Sequence, residues 1–212
     1  MIRNRQTLFA AFLVLLFGCA LFYIGTDGFK AYTAETARVI QLTDDKPEFP
    51  ANVTLEDSNE RTYSISEFEG KYIFITFMYT SCVDECPLLE MNMGRVYDSI
   101  PSEYMGEEIV FLSISFDPER DDPATLDMYK NHFSADGETW RMARINDQVE
   151  LAALLETYGV IVIPDGDGDF AHNSAFYLVD QTGHLLDIID YKNVELAANE
   201  VVEILENEEG AQ

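Results

Sequence analysis

The stretch KYIFITFMYTSCVDECP, from Lys71 to Pro87, decides the fold of this chain. Its first part is almost continuously apolar and aromatic, which is typical of a strand buried on both faces. We expect this strand, Tyr72 to Phe77, to break into a loop that carries Cys82 and Cys86. Pro87 then fits the first turn of a helix, where the N–H that proline lacks would have no partner. The sequence therefore predicts a strand, a thiol-bearing loop and a helix in succession.

Strands and helices alternate along the rest of the chain. A hairpin is predicted over 52–64, before the opening stretch, and a second hairpin over 174–179 and 185–189. Between them we predict helices at 88–100, 124–133 and 149–158, strands at 109–116 and 140–145, and after the second hairpin a last helix capped by Asn193. This order predicts an α/β domain with a mixed central sheet over residues 49–207, followed by a tail over 208–212. A thiol pair after the first buried strand is the thioredoxin-like arrangement, and ligands of open α/β sheets collect at such strand ends.

The N-terminal segment is apolar from Leu8 to Ile24, which is at the short end of what spans a bilayer core of about 30 Å. We expect an uncleaved membrane-anchoring helix over residues 1–25 and a linker over 26–48, the first part of which could extend the helix. Arg3 and Arg5 precede the apolar run, so the domain is predicted to face the periplasm, on the extracytoplasmic side. Residues 16–19, LFGC, also resemble a lipoprotein cleavage box, which would instead tether the domain through a lipid on Cys19.

The formal net charge of the chain is −26, and no acidic residue precedes Asp27. A surface this acidic repels nucleic acid and anionic lipid headgroups, so no nucleic-acid partner is expected. The charge suits a soluble surface or a basic protein partner.

Cys82 and Cys86 are spaced C-x-x-x-C, one residue wider than the C-x-x-C of ordinary thioredoxin-like oxidoreductases. A loop of this width can close a disulfide, and it can also place two thiolates around a metal. A helix N-terminus beside both sulfurs is expected to favour the thiolate form. Two thiolates suit Cu(I), and an added imidazole also tolerates Cu(II). The spacing alone leaves a redox pair, a structural disulfide and a metal site open.

The chain has three histidines. His132 is expected on a helix as a partly exposed surface residue, and His184 in the turn of the terminal hairpin. His172 stands immediately before a predicted strand, after an acidic, glycine-rich hairpin or loop at 164–169. From the residues alone, a structural role is the favoured interpretation of His172.

The segment YTSCVDECP, Tyr79 to Pro87, resembles the core motif of the Sco family of copper proteins. These are membrane-anchored, thioredoxin-like domains that help to assemble the binuclear copper site of cytochrome c oxidase. The resemblance covers roughly Phe49 to Leu205. It includes the segment 115–123 with Leu126, Tyr129, Phe133 and Trp140, the segment 172–174, and the segment 177–180 with Gly183. In that family two cysteines and a distant histidine bind copper, and the matching positions here are Cys82, Cys86 and His172.

The sequence departs from the family pattern at two positions. Val83 stands where the family usually has proline after the first cysteine, and Ala171 stands where an aspartate commonly precedes the histidine. Asp169 is the nearest acidic residue to that position. A missing aspartate could remove a contact that orients the metal-binding histidine.

The resemblance implies a metallochaperone that passes copper, as Cu(I) or Cu(II), to a cytochrome c oxidase subunit or to another copper or thiol protein. The alternative is a thiol–disulfide oxidoreductase that keeps the copper-ligating cysteines of the target reduced, in which Cys82 attacks and Cys86 resolves. A third interpretation makes the pair a plain disulfide. The same two thiols serve each role, so the sequence leaves these alternatives open.

Overall fold

The computed structural model describes residues 2–26, 28 and 33–209, and it divides the chain after Asp45 into two compact units. The first unit contains helix α1, Ile2–Gly25, and helix α2, Ala34–Asp45. Helix α1 includes an apolar span, Arg5–Gly25, with a mean hydropathy of 2.5, long and apolar enough to cross a membrane. The segment predicted as a linker, 26–48, therefore contains a helix of its own.

The second unit, from Lys46 onward, contains nine strands and four α-helices among the described residues. The strands are β1 Thr54–Asp57, β2 Thr62–Ser64, β3 Tyr72–Met78, β4 Ile109–Ser115, β5 Trp140–Arg144, β6 Val162–Pro164, β7 Phe170–His172, β8 Phe176–Val179 and β9 Leu185–Ile189. The helices are α3 Glu85–Ser99, α4 Pro123–Lys130, α5 Gln148–Thr157 and α6 Val194–Glu209, and a short 3-10 helix spans Ile65–Phe68. Of the predicted tail 208–212, α6 includes the first two residues and the rest lies outside the described residues.

Seven of these strands form one mixed sheet in the order β2-β1-β5-β4-β3-β8-β9. Strands β3, β4 and β5 are parallel, while β1 pairs antiparallel with β5 and β8 with β3. Every residue of β3 and β4 is buried, as their continuous apolar runs predict. The predicted α/β class with a mixed central sheet and an N-terminal hairpin is confirmed.

Strands β6 and β7 form a separate two-stranded sheet in which Val162 pairs with His172. The sequence analysis placed His172 immediately before a strand, whereas it is the last residue of β7. The prediction missed both strands because each has three residues, which is too short for an alternating pattern to show. Residues 165–169 are the turn between them, so the glycine-rich hairpin interpretation of 164–169 is confirmed, with Pro164 in β6.

Two predicted helix boundaries differ from the observed ones by three residues. Helix α3 begins at Glu85, three residues before the predicted start, so Cys86 already lies in its first turn and Pro87 is the third helical residue. Helix α4 ends at Lys130, which leaves His132 in the turn that follows, where it is exposed. Asp122 caps α4 by accepting a hydrogen bond from the Thr125 N–H at 2.8 Å.

Helix α3 places a carboxyl group inside the protein. Glu90 is fully buried, and one of its oxygens accepts a hydrogen bond from the Ser113 hydroxyl of β4 at 2.8 Å. Ser113 in turn accepts from the indole N–H of Trp140 at 3.1 Å. Burial raises the pKa of Glu90 to about 8, and the bond from Ser113 only partly opposes that shift.

This raised pKa predicts how the stability of the protein depends on pH. Between the ordinary carboxyl pKa of 4.5 and about 8, folded Glu90 holds a proton that the unfolded chain has lost. Its contribution to the free energy of unfolding therefore falls as pH rises through that window, by up to about 1.4 kcal/mol per pH unit. We expect the variant Glu90→Gln to lack this fall, as measured by denaturant unfolding at pH 5 to 8.

Glu107→Gln is the control for this measurement, because Glu107 is an exposed glutamate in the same unit. It should keep the wild-type slope of stability against pH. Equal slopes for wild type and Glu90→Gln would contradict the buried-acid assignment.

Candidate metal centre

The loop after β3 brings the two cysteines together. Cys82 lies in the loop and is 8% exposed, whereas Cys86, in the first turn of α3, is fully buried. The Cys86 N–H donates a hydrogen bond to the Cys82 sulfur at 3.3 Å. Both thiols are free, so the structure holds the pair without a disulfide.

Asp121, a fully buried residue of the loop after β4, ties the cysteine loop to the sheet. Its carboxylate accepts hydrogen bonds from the Thr80 N–H at 3.0 Å, from the Thr80 hydroxyl, and from the Ser115 hydroxyl. Thr80 lies two residues before Cys82. The sequence analysis noted this aspartate as part of the matching segment 115–123. The available signal is an acidic cluster directly after a buried strand, since a buried loop needs acceptors for its backbone N–H groups, but the cluster does not tell which carboxylate turns inward.

His172 reaches the cysteines from the end of β7. Its Nε2 lies 3.5 Å from the Cys86 sulfur, and its Nδ1 lies 3.3 Å from both the Asn173 carbonyl oxygen and the Ser174 hydroxyl. A carbonyl oxygen only accepts hydrogen bonds, so Nδ1 carries the proton and the Nε2 lone pair faces the cysteines. Burial lowers the pKa of His172, which favours this neutral imidazole.

The donor atoms of Cys82, Cys86 and His172 all lie within 4.8 Å of one another. All three residues that the sequence analysis singled out are thus brought to one place. His132 and His184 lie elsewhere, His132 after α4 and His184 in the β8–β9 turn, with its Nδ1 3.0 Å from the Thr182 hydroxyl. Two sulfurs and one imidazole nitrogen are the donor set of a soft or borderline metal.

The electrostatics of Cys86 differ from the sequence prediction. Burial raises the pKa of the Cys86 thiol, and the hydrogen bond and charge of Cys82 and the charges of Glu90 and Glu85 raise it further. The prediction that the helix N-terminus favours a thiolate is therefore wrong for Cys86, because desolvation outweighs the helix dipole. A cation bound by the sulfur would supply the charge that a buried thiolate needs.

A cavity of about 520 Å³ is lined by Cys82 and His172, two of the three donor residues. Four acidic residues are among those that line it: Asp84, Glu85, Asp165 and Asp169. Val83 and Ala171, the two departures from the family pattern, also line it, and Val83 is 80% exposed. Neither residue contributes one of the three donor atoms.

The sequence profile of the SCO1/SenC family matches residues 42–207. The chain belongs to the SCO1/SenC family. Its thioredoxin-like fold agrees with that assignment, as the resemblance of the cysteine motif implied.

Three relatives illustrate this membership. A protein of Stutzerimonas stutzeri described as a putative copper-binding protein is 27% identical over 186 residues, which are 85% of this chain and 86% of that protein. ScoI of Bradyrhizobium japonicum with copper bound is 29% identical with a TM-score of 0.58, and the match covers 70% of this chain and 94% of that chain. Yeast Sco1 with copper bound is 26% identical with a TM-score of 0.61 and coverage of 76% and 90%.

The hydrogen bonds of Asp121 lead to a prediction about the cysteine loop. Asp121→Asn replaces an acceptor-only group by one that must also place an NH₂ against the Thr80 donors, leaving buried groups unpaired. We expect a loss of about 1–3 kcal/mol in the free energy of unfolding and faster alkylation of Cys82 by iodoacetamide.

Asp122→Asn is the matched control, because it removes the same charge from the neighbouring residue and asparagine also caps helices well. It should change neither the stability nor the alkylation rate appreciably. If both variants behaved alike, the assignment of Asp121 as the anchor of the loop would be wrong.

Proposed function

We propose that this protein binds copper through Cys82, Cys86 and His172 and delivers it during assembly of the binuclear copper site of a respiratory cytochrome c oxidase. The observation that carries the proposal is the convergence of the three donor atoms within 4.8 Å, from segments 86 residues apart. Membership of the SCO1/SenC family supports copper as the metal, because solved structures of Sco proteins hold copper.

The donors suit a metal that has to be released again. Two sulfurs hold Cu(I) well, and the imidazole adds a ligand that Cu(II) accepts. Cys82 and His172 both line the open cavity, so a ligand from a partner protein can approach the metal from that side. Transfer would then exchange one donor at a time for a donor of the target, which is an oxidase subunit or another copper or thiol protein.

A second function uses the same thiols for electron transfer. Cys82, the more exposed sulfur, would attack a disulfide of the target and form a mixed disulfide, releasing one target thiol. Cys86 would then attack Cys82, releasing the second target thiol and leaving a Cys82–Cys86 disulfide. Two electrons pass to the target, so a further dithiol must reduce the protein before each new cycle. The adjacency of the two thiols and the position of Cys82 at the cavity support this alternative.

One variant, measured in two assays, separates the two functions. If the protein binds copper at this site, we expect His172→Ala to weaken Cu(I) and Cu(II) binding at least tenfold. The variant removes a metal ligand, and even mutation of a residue that only hydrogen-bonds to a ligand lowers metal affinity by this factor. For the reductase, His172→Ala should leave disulfide reduction unchanged. The measurements are competitive copper titration and target-disulfide reduction, both on the reduced full-length protein in detergent.

His132→Ala is the control, since His132 is exposed and lies outside the donor cluster. Cys82→Ser and Cys86→Ser should abolish both activities. Copper stoichiometry and affinity that are the same in His172→Ala and wild type would refute the three-ligand site.

We also propose that α1 anchors the protein in a membrane with the second unit on the extracytoplasmic side. The support is the apolar span Arg5–Gly25 and the position of Arg3 and Arg5 before the apolar run. Mass spectrometry of the mature protein is expected to find residues 1–25 attached and Cys19 unmodified. Protease added to sealed spheroplasts should digest the domain.

An acylated Cys19 at the mature N-terminus would replace the spanning helix by a lipid anchor. Protection of the domain from protease would contradict the orientation. The two measurements therefore test the anchor and the orientation independently.

A further inference from the structure

The hairpin β6–β7 carries His172 but pairs in a sheet of its own. A two-stranded hairpin is marginally stable by itself, so its contacts with the rest of the domain decide where His172 lies. At the base of the hairpin, Asn173 accepts a hydrogen bond from the Ile161 N–H at 2.7 Å and donates one to the Gly159 carbonyl at 3.2 Å. These bonds join the two ends of the hairpin. Its turn is held by other contacts.

Tyr79 makes such contacts with the turn. It directly follows β3, lies three residues before Cys82 and is 2% exposed. Its hydroxyl donates a hydrogen bond to the Asp169 carboxylate and accepts one from the Phe170 N–H at 3.4 Å. The same residue thus belongs to the cysteine loop and binds the hairpin.

The ring of Tyr79 also packs against the hairpin. Its centroid lies 5.1 Å from that of Phe170 and 6.1 Å from that of His172, both edge-to-face. Phe116, after β4, packs beside it at 5.1 Å from the His172 ring. The Arg120 guanidinium lies 5.9 Å from the Tyr79 centroid and 5.5 Å from that of Phe170, which adds cation–π attraction. The imidazole is therefore oriented by an aromatic cluster whose polar end is the Tyr79–Asp169 bond.

We propose that Tyr79 is a positioning residue of the metal site, which holds the β6–β7 hairpin through Asp169 and thereby keeps His172 Nε2 beside the cysteine sulfurs. Asp169 is the acidic residue nearest to the position where Ala171 replaces the usual aspartate of the family. Its carboxylate accepts the hydrogen bond from Tyr79, so it holds the turn of the hairpin in place and makes no hydrogen bond to the imidazole. The copper part of this inference rests on the proposed function, whereas the positioning of the hairpin does not.

The first test needs no metal. In Tyr79→Phe the ring stays and the hydroxyl is lost, and in Asp169→Asn the charged acceptor is lost. The hydrogen bond to a charged group is removed in Tyr79→Phe and becomes a weaker, neutral bond in Asp169→Asn. We therefore expect amide hydrogen exchange in residues 160–174 of the full-length protein to become about tenfold faster. Exchange in β4, residues 109–115, should stay at the wild-type rate. Tyr177→Phe is the control, a buried tyrosine that packs on Phe77 and Tyr158 instead.

The second test measures copper binding by the site. Tyr79→Phe should weaken Cu(II) binding about tenfold and shift the thiolate-to-Cu(II) absorption band toward that of His172→Ala. In the His172→Ala background, Tyr79→Phe should change the affinity less than about twofold, because the residue acts through the histidine. Asp169→Asn should reproduce both results, and Tyr177→Phe neither.

Wild-type exchange in residues 160–174 of both variants would overturn the inference, as would an equal loss of copper affinity with and without His172. If the wild type bound no copper, the proposed function would fail, and the exchange rates would still decide whether Tyr79 positions the hairpin.

Discussion

The parallel pairing of β3 with β4 is the constraint on which the site depends. The two strands pair residue for residue from Tyr72 with Ile109 to Met78 with Ser115, and all their residues are buried. Parallel strands end at the same edge of a sheet, so the cysteine loop and the loop of Asp121 emerge side by side. Strand β8 is antiparallel to β3 and begins at that edge, and the chain preceding it therefore brings His172 to the same place. The pairings of β3 with β4 and with β8 thus bring three distant segments together.

This placement makes a thiolate at Cys86 unfavourable, and a bound metal cation can offset that cost. Cys86 is fully buried one turn before a buried glutamate, so its thiol is held in the protonated form. An isolated thiolate there would be costly, whereas a monovalent cation shared by two thiolates leaves a single net negative charge. The neutral imidazole of His172 adds a donor without adding charge. The site therefore stabilises thiolates when a soft cation accompanies them, and it disfavours a free thiolate nucleophile at Cys86.

The sequence predicted the parts of this site that depend on long patterns. The apolar run of β3 and the two cysteines after it were enough to predict a strand-end thiol site, and the hairpin β1–β2 followed from its turn residues. His172 was different, because residue patterns alone favoured a structural role and only the family resemblance paired it with the cysteines. Strands of three residues carry no periodicity, so β6 and β7 were missed. The buried carboxylates of Glu90 and Asp121 escaped as well, since nothing in a sequence tells which acidic residue of a helix or loop turns inward.

The positions of Val83 and Ala171, the two departures from the family pattern, indicate what these residues change. Val83 is 80% exposed and Ala171 is also exposed, and both line the cavity. Neither side chain contributes a donor atom. The imidazole is oriented by Asn173 and Ser174 on its Nδ1 side and by the aromatic cluster around Tyr79. The substitutions therefore change the surface that a docking partner would meet and leave the donor set intact. Charge and shape at such a rim govern partner choice and association rate more than the strength of metal binding beneath it.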